Sequence, residues 1–183
     1  EIASCLVGSE MCIRDRPYTY RLQETDDISL VGYSRFIPTK QLSNPFNIPD
    51  FLEDLLVDGY IKELKRYNDT SPYELFVVSC PLEQGLEIFV GVPSERYPSH
   101  LESRFLPGRH YALFNLQGEI DYATNEAWYY IESSLQLTLP YERNSLYVEI
   151  YPLDISFNDP FTKIQLWLPI KQEIYDLDED YQN

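Results

Sequence analysis

The chain has 183 residues, of which 44% are hydrophobic and 15% aromatic, and its 30 acidic against 14 basic side chains give a formal charge of −16. That length makes one domain or two small halves, able to bury roughly 70% of its unfolded surface without disulfide or metal staples. Such acidity repels phosphate backbones and anionic membranes and favours cationic partners, and with no run of 18 apolar residues for a spanning helix, neither direct nucleic-acid binding nor a membrane role is expected.

Residues 1–16, with the run Cys5-Leu6-Val7-Gly8-Ser9-Glu10-Met11-Cys12, resemble translated adapter sequence more than a natural domain edge. They lack the basic start and apolar stretch of a signal peptide. They are set aside as a non-native leader, which leaves open a lost upstream domain.

From Pro17 one pattern reads twice. Ile28–Ile37 is β-branched and aromatic enough for a strand. A helix follows from Ile48 to about Tyr67, striped by Phe51, Leu52, Leu55, Leu56, Ile61 and Leu64, with Pro49 in its first turn and Gly59 interrupting it. Tyr73–Ser79 and Leu86–Val92 then read as strands joined at Glu83-Gln84-Gly85. A link punctuated by Pro93 and Pro98 leads to a second strand-forming run at His110–Leu116. A second helix spans Asp121 to about Leu137, with Ala127, Tyr130, Ile131, Ser134 and Leu135 on one face. Tyr147–Leu153 and Ile164–Ile170 close the copy as strands.

The expected class is therefore α+β. A tandem strand-helix-strand-strand repeat builds two antiparallel sheets with pseudo-twofold symmetry, one main helix per half and a central cleft. The domain is placed at 17–172, with halves at about 17–95 and 96–172. An acidic tail at 173–183 carries Glu173, Asp176, Asp178, Glu179 and Asp180 and no base.

In Tyr147-Val148-Glu149-Ile150-Tyr151, strand alternation puts Glu149 on one face with both tyrosines and the aliphatic pair on the other. Val148 and Ile150 are assigned to the helix-covered face, so Glu149 is expected on the uncovered face or at the seam between the halves. An acid framed by rings is costly to hold unless a cation or a hydrogen-bond donor meets it. A plain solvated glutamate is the alternative reading.

Five segments occur in order: Leu30-Val31-Gly32-Tyr33-Ser34, Ile48-Pro49-Asp50-Phe51, Pro107-Gly108-Arg109-His110-Tyr111-Ala112-Leu113-Phe114, Val148-Glu149-Ile150-Tyr151 and Ile164-Gln165-Leu166-Trp167-Leu168-Pro169-Ile170. Together they resemble the GyrI-like, AraC-type effector-binding domain of bacterial multidrug-responsive regulators, over about Tyr18 to Lys171. The resemblance implies the same tandem architecture. It also implies a central cleft glutamate, aligned with Glu149, that meets aromatic cations. Many members have Trp directly after the Ile-Pro-x-Phe segment where this chain has Leu52, which implies a wider pocket or another ligand.

The candidate ligand-binding residues are Glu149, Tyr33, Phe51, Tyr73, Tyr111, Tyr147 and Trp167, with core packing an equal alternative for each ring. Trp128 is read as core. His100 and His110 are read as surface or capping residues, and Cys80 as a buried thiol. Cys5, Cys12 and Cys80 form no zinc or disulfide pattern, which fits a reduced, cytoplasmic setting. No catalytic residue, cofactor or metal is expected. The expected function is binding of an amphipathic or aromatic cation, by a protein acting alone or as the sensor half of a transcription regulator. The resemblance also leaves open hydrolysis of reactive xenobiotics through Glu149, or binding to a protein partner in the manner of a gyrase inhibitor.

Overall fold

A computed structural model describes residues 18–43, 47–69, 74–135, 138–142 and 144–171. Both expected repeats are present within these residues, and they share one sheet. In the first half, β1 (Tyr20–Glu24) and β2 (Ile28–Pro38) precede helices α1 (Asn47–Val57) and α2 (Tyr60–Leu64), followed by β3 (Glu74–Leu82) and β4 (Gly85–Pro93). The second half has β5 (Glu102–Leu106), β6 (His110–Gln117), α3 (Ile120–Tyr130), β7 (Tyr147–Pro152) and β8 (Lys163–Pro169). A π-turn at Ile131–Leu135 extends α3. Gly59, at φ +82°, takes the left-handed conformation that separates α1 from α2 at the expected interruption.

All eight strands are antiparallel in the order β1-β6-β8-β7-β3-β4-β2-β5. The two expected sheets are thus halves of a single sheet, joined where β7 pairs with β3 and Val77 lies opposite Glu149. β1 is one edge, and β2 lies six strand spacings away, about 29 Å in a flat sheet. Only Thr25, Asp26 and Asp27 join them, a link that reaches on the order of 14 Å. The sheet must therefore curl until its ends approach. Pro107, Gly108 and Arg109 make the matching link from β5 to β6, and the two corners bind each other: Thr25 N–H donates to the Arg109 carbonyl at 3.1 Å and Gly108 N–H to the Asp27 carboxylate at 2.6 Å.

β1 and β5 were not expected. Each has five residues, and their side chains are mostly exposed, so neither shows the alternation that betrays a half-buried strand. The β2–β4 pairing contains a different constraint. Gly32 faces Gly91, and a Cβ on Gly32 would sit 2.0 Å from the Val90 carbonyl oxygen, closer than any side chain allows.

The curled sheet buries both of its faces. Val31, Val77, Val90, Leu166 and Leu168 pack with Phe51, Leu52 and Leu55 of α1, Ile61 and Leu64 of α2, and Ala127 of α3. Leu30, Phe76, Val78, Phe89, Tyr111, Leu113, Val148, Ile150 and Trp167 form a second, separate core. The expected facing of β7 is thereby reversed. Val148 and Ile150 belong to the second core, while Tyr151 and Tyr147 lie on the helix side, where Glu149 meets residues of α3. With both faces apolar, an aliphatic pair does not reveal which face the helices cover.

Candidate functional site

β7 carries Glu149 beneath α3, where the side chain is 1% exposed. The Tyr151 hydroxyl, two residues along the same face, donates to Glu149 Oε2 at 2.5 Å. The Trp128 indole N–H is a second donor to the carboxylate, and the Thr124 hydroxyl donates in turn to the Tyr151 oxygen. Burial dominates even so, pushing the carboxyl up to about 7 against both donors. The Tyr147 and Tyr151 phenols are also held above their usual range, by burial first and then by the charge of Glu149.

Glu149 borders a cleft of about 160 Å³ at the seam between the halves. The first half supplies Leu42, Asn47, Ile48, Pro49 and Leu86; the second supplies Thr124, Asn125, Trp128, Tyr147 and Glu149. Pro49 suits the first turn of α1, where its missing N–H would have no helical partner. Trp128 and Tyr147 meet edge to face, with ring centroids 4.8 Å apart and planes at 70°. These two rings also line a larger cavity of about 570 Å³, with Glu132, Tyr141, Glu142, Ser145, Leu168 and Pro169. Glu142 there is ion-paired to Arg109 at 2.6 Å.

Of the candidate residues, the structure brings Glu149 and Tyr147 together. Tyr33 donates its hydroxyl to Glu63 at 2.7 Å and packs on Tyr60, away from the cleft lining. Phe51 is in the helix-side core with the Arg35 guanidinium 4.2 Å over its ring. Tyr111 and Trp167 lie in the core on the other side of the sheet, with Tyr111 donating to the Pro107 carbonyl and the Trp167 indole to Gln165. Tyr73 lies outside the described residues, as do the leader and the acidic tail.

Trp128, read as core, packs against the helix-side core and also forms part of the cleft wall, with its indole N–H facing the carboxylate. Cys80 is half-buried, and burial raises its thiol. His100 is on the surface, paired with Glu63 at 2.9 Å. Among the described residues there is no group of three or more His, Cys, Asp or Glu placed to hold a metal ion, and no helix long and apolar enough to cross a membrane.

The profile of one family, the integron-associated effector binding proteins, matches residues 21–170. Among solved structures, SAV2435 bound to tetraphenylphosphonium superposes with a TM-score of 0.71 at 19% identity, covering 86% of this chain and 96% of that one. An integron cassette protein from the mobile metagenome of Vibrio cholerae gives 0.56 at 12% identity, covering 84% and 97%. EcmrR in its DNA complex gives 0.57 at 14% identity, covering 87% of this chain and 59% of EcmrR. No match is found among curated proteins. The five ordered segments, the tandem repeat on one antiparallel sheet and the matched profile lead to one assignment: the chain belongs to the Cass2 family of integron-associated effector binding proteins and has the GyrI-like effector-binding fold.

Proposed function

We propose that this protein binds an amphipathic aromatic cation in the seam cleft, with Glu149 as counter-charge and Trp128 and Tyr147 as ring contacts. The observation that carries this reading is a carboxyl buried to 1% exposure at the edge of a ring-lined cleft, with hydrogen-bond donors but no cation among its described neighbours. An arriving cation removes the cost of ionising a buried acid, which no neutral ligand does. Ring–cation contacts contribute roughly 0.5–2 kcal/mol each, so micromolar affinity needs no dense polar network. The similar structure that holds tetraphenylphosphonium supports the choice of ligand class. The role of the domain is that of an effector module, acting alone or joined to a DNA-binding domain.

Fluorescence titration with rhodamine 6G at pH 8 tests the reading. Wild type should bind in the micromolar range, and Glu149→Gln should weaken binding at least tenfold. A Glu149→Gln protein that binds as tightly as wild type contradicts it.

A further inference from the structure

We propose that the outward face of α3 carries a second ligand site, separate from the seam cleft, which takes a quaternary ammonium group between tyrosine rings and the Glu126 carboxylate.

Helix spacing assembles the site. Tyr122 stands four residues before Glu126 on α3, and Tyr129 and Tyr130 stand three and four residues after it. All three rings are therefore neighbours of the carboxylate along one helix face. Tyr18, in the approach to β1, adds a fourth ring, with its centroid 5.5 Å from that of Tyr130. These five residues help line a groove of about 580 Å³, within the roughly 300–1,000 Å³ of small-molecule sites.

The same helix turns Ala123 and Ala127 into the core and Thr124 and Trp128 to the seam cleft. Core packing accounts in part for Tyr18 and Tyr130, but Tyr122 is 55% exposed and Tyr129 77%. A single exposed ring is ordinary. Four rings around one carboxylate in a concavity are the chemistry of a cation receptor. No ion pair among the described residues engages Glu126, and its charge acts on the neighbouring Tyr18 phenol, which lies above its usual range through burial first and Glu126 second.

The open position of the groove selects the kind of cation. A primary ammonium is compact and strongly hydrated, so an exposed carboxylate gains little from it. A quaternary ammonium has no N–H to hydrate and carries its charge on methyl groups that rest against ring faces, which is how aromatic cages recognise such groups.

Choline and ethanolamine, equal in charge and different in three N-methyl groups, test this in ligand-observed NMR titrations of the full chain at pH 7.5. Choline should bind in the millimolar range, the scale of a few exposed ring–cation contacts, and ethanolamine roughly tenfold more weakly. Tyr129→Ala and Glu126→Gln should each weaken choline binding roughly threefold to fivefold. Both side chains are exposed, so the fold tolerates either change. Glu149→Gln, on the other side of α3, should leave choline binding within about twofold. Equal binding of the two amines overturns the inference, because it reduces the effect to the attraction of an acidic protein for any cation. Choline binding that Glu149→Gln abolishes and Tyr129→Ala leaves intact overturns it by moving the ligand to the seam cleft. Absence of choline binding to wild type overturns it outright and leaves the Glu149 site standing.

Discussion

Tyr151 and Glu149 lie two residues apart on one strand, and the phenol donates to the carboxylate at 2.5 Å inside the fold. Strand geometry alone brings them together, since i and i+2 share a face. The contact lowers the cost of a buried negative charge without removing it, and the carboxyl stays near 7. The cleft thus holds an acid that is about half ionised near neutral pH and gains from any cation that completes the ionisation.

Glu149 should make stability depend on pH. Its folded-state value is about 7 against a usual 4.5. The folded state therefore holds a proton that the unfolded chain has lost between pH 4.5 and 7, and stability falls as pH rises through that window. The difference amounts to about 3 kcal/mol. Glu149→Gln should be more stable than wild type by about that amount at pH 8, with the gap closing near pH 4. Urea unfolding at several pH values measures it, and a gap independent of pH contradicts the assignment.

Removing donors should raise the carboxyl further. Tyr151→Phe should shift the pH midpoint of rhodamine 6G binding upward by roughly one unit. Trp128→Phe should shift it less, because the phenol is the stronger of the two donors. A downward shift in either variant would show that the donors do not face the ionised form.

Ring substitutions should separate the cleft from the cores. Tyr147→Ala should weaken rhodamine 6G binding roughly tenfold. Tyr33→Phe and Tyr111→Phe, which keep the rings and delete hydroxyls bonded outside the cleft, should leave it within twofold. Equal losses in all three would place the ligand elsewhere.

Gly32→Ala should destabilise the fold by about 3 kcal/mol or more, because its Cβ meets the Val90 carbonyl across the β2–β4 pair. Gly59→Ala strains only a left-handed turn in open space and should cost about 1 kcal/mol. Thermal unfolding of the two variants should preserve that ranking.

Much of this was legible in the sequence. The stripe of Phe51, Leu55 and Ile61 announced its helices and Gly59 their break. What was not legible has physical causes. Tyr20–Glu24 and Glu102–Leu106 are strands by pairing rather than by burial, and no apolar pattern marks them. The facing of β7 was hidden because the curled sheet is apolar on both sides, so Val148 and Ile150 fit either one. Tyr111 and Trp167 alternate as pocket rings would, yet the sheet turns them to the opposite core. Trp128 was read only as core because its contact with Glu149 joins α3 to a strand, a meeting that local periodicity does not encode.

The most direct test of the central claim counts protons. Tetraphenylphosphonium is titrated calorimetrically into wild type at pH 6, in two buffers of different ionisation enthalpy. A carboxyl near 7 is mostly protonated at that pH, so ionising it against the cation should release roughly 0.9 proton per bound ligand, and Glu149→Gln should release none. Binding without proton release, or the same release from Glu149→Gln, would show that Glu149 is not the counter-charge.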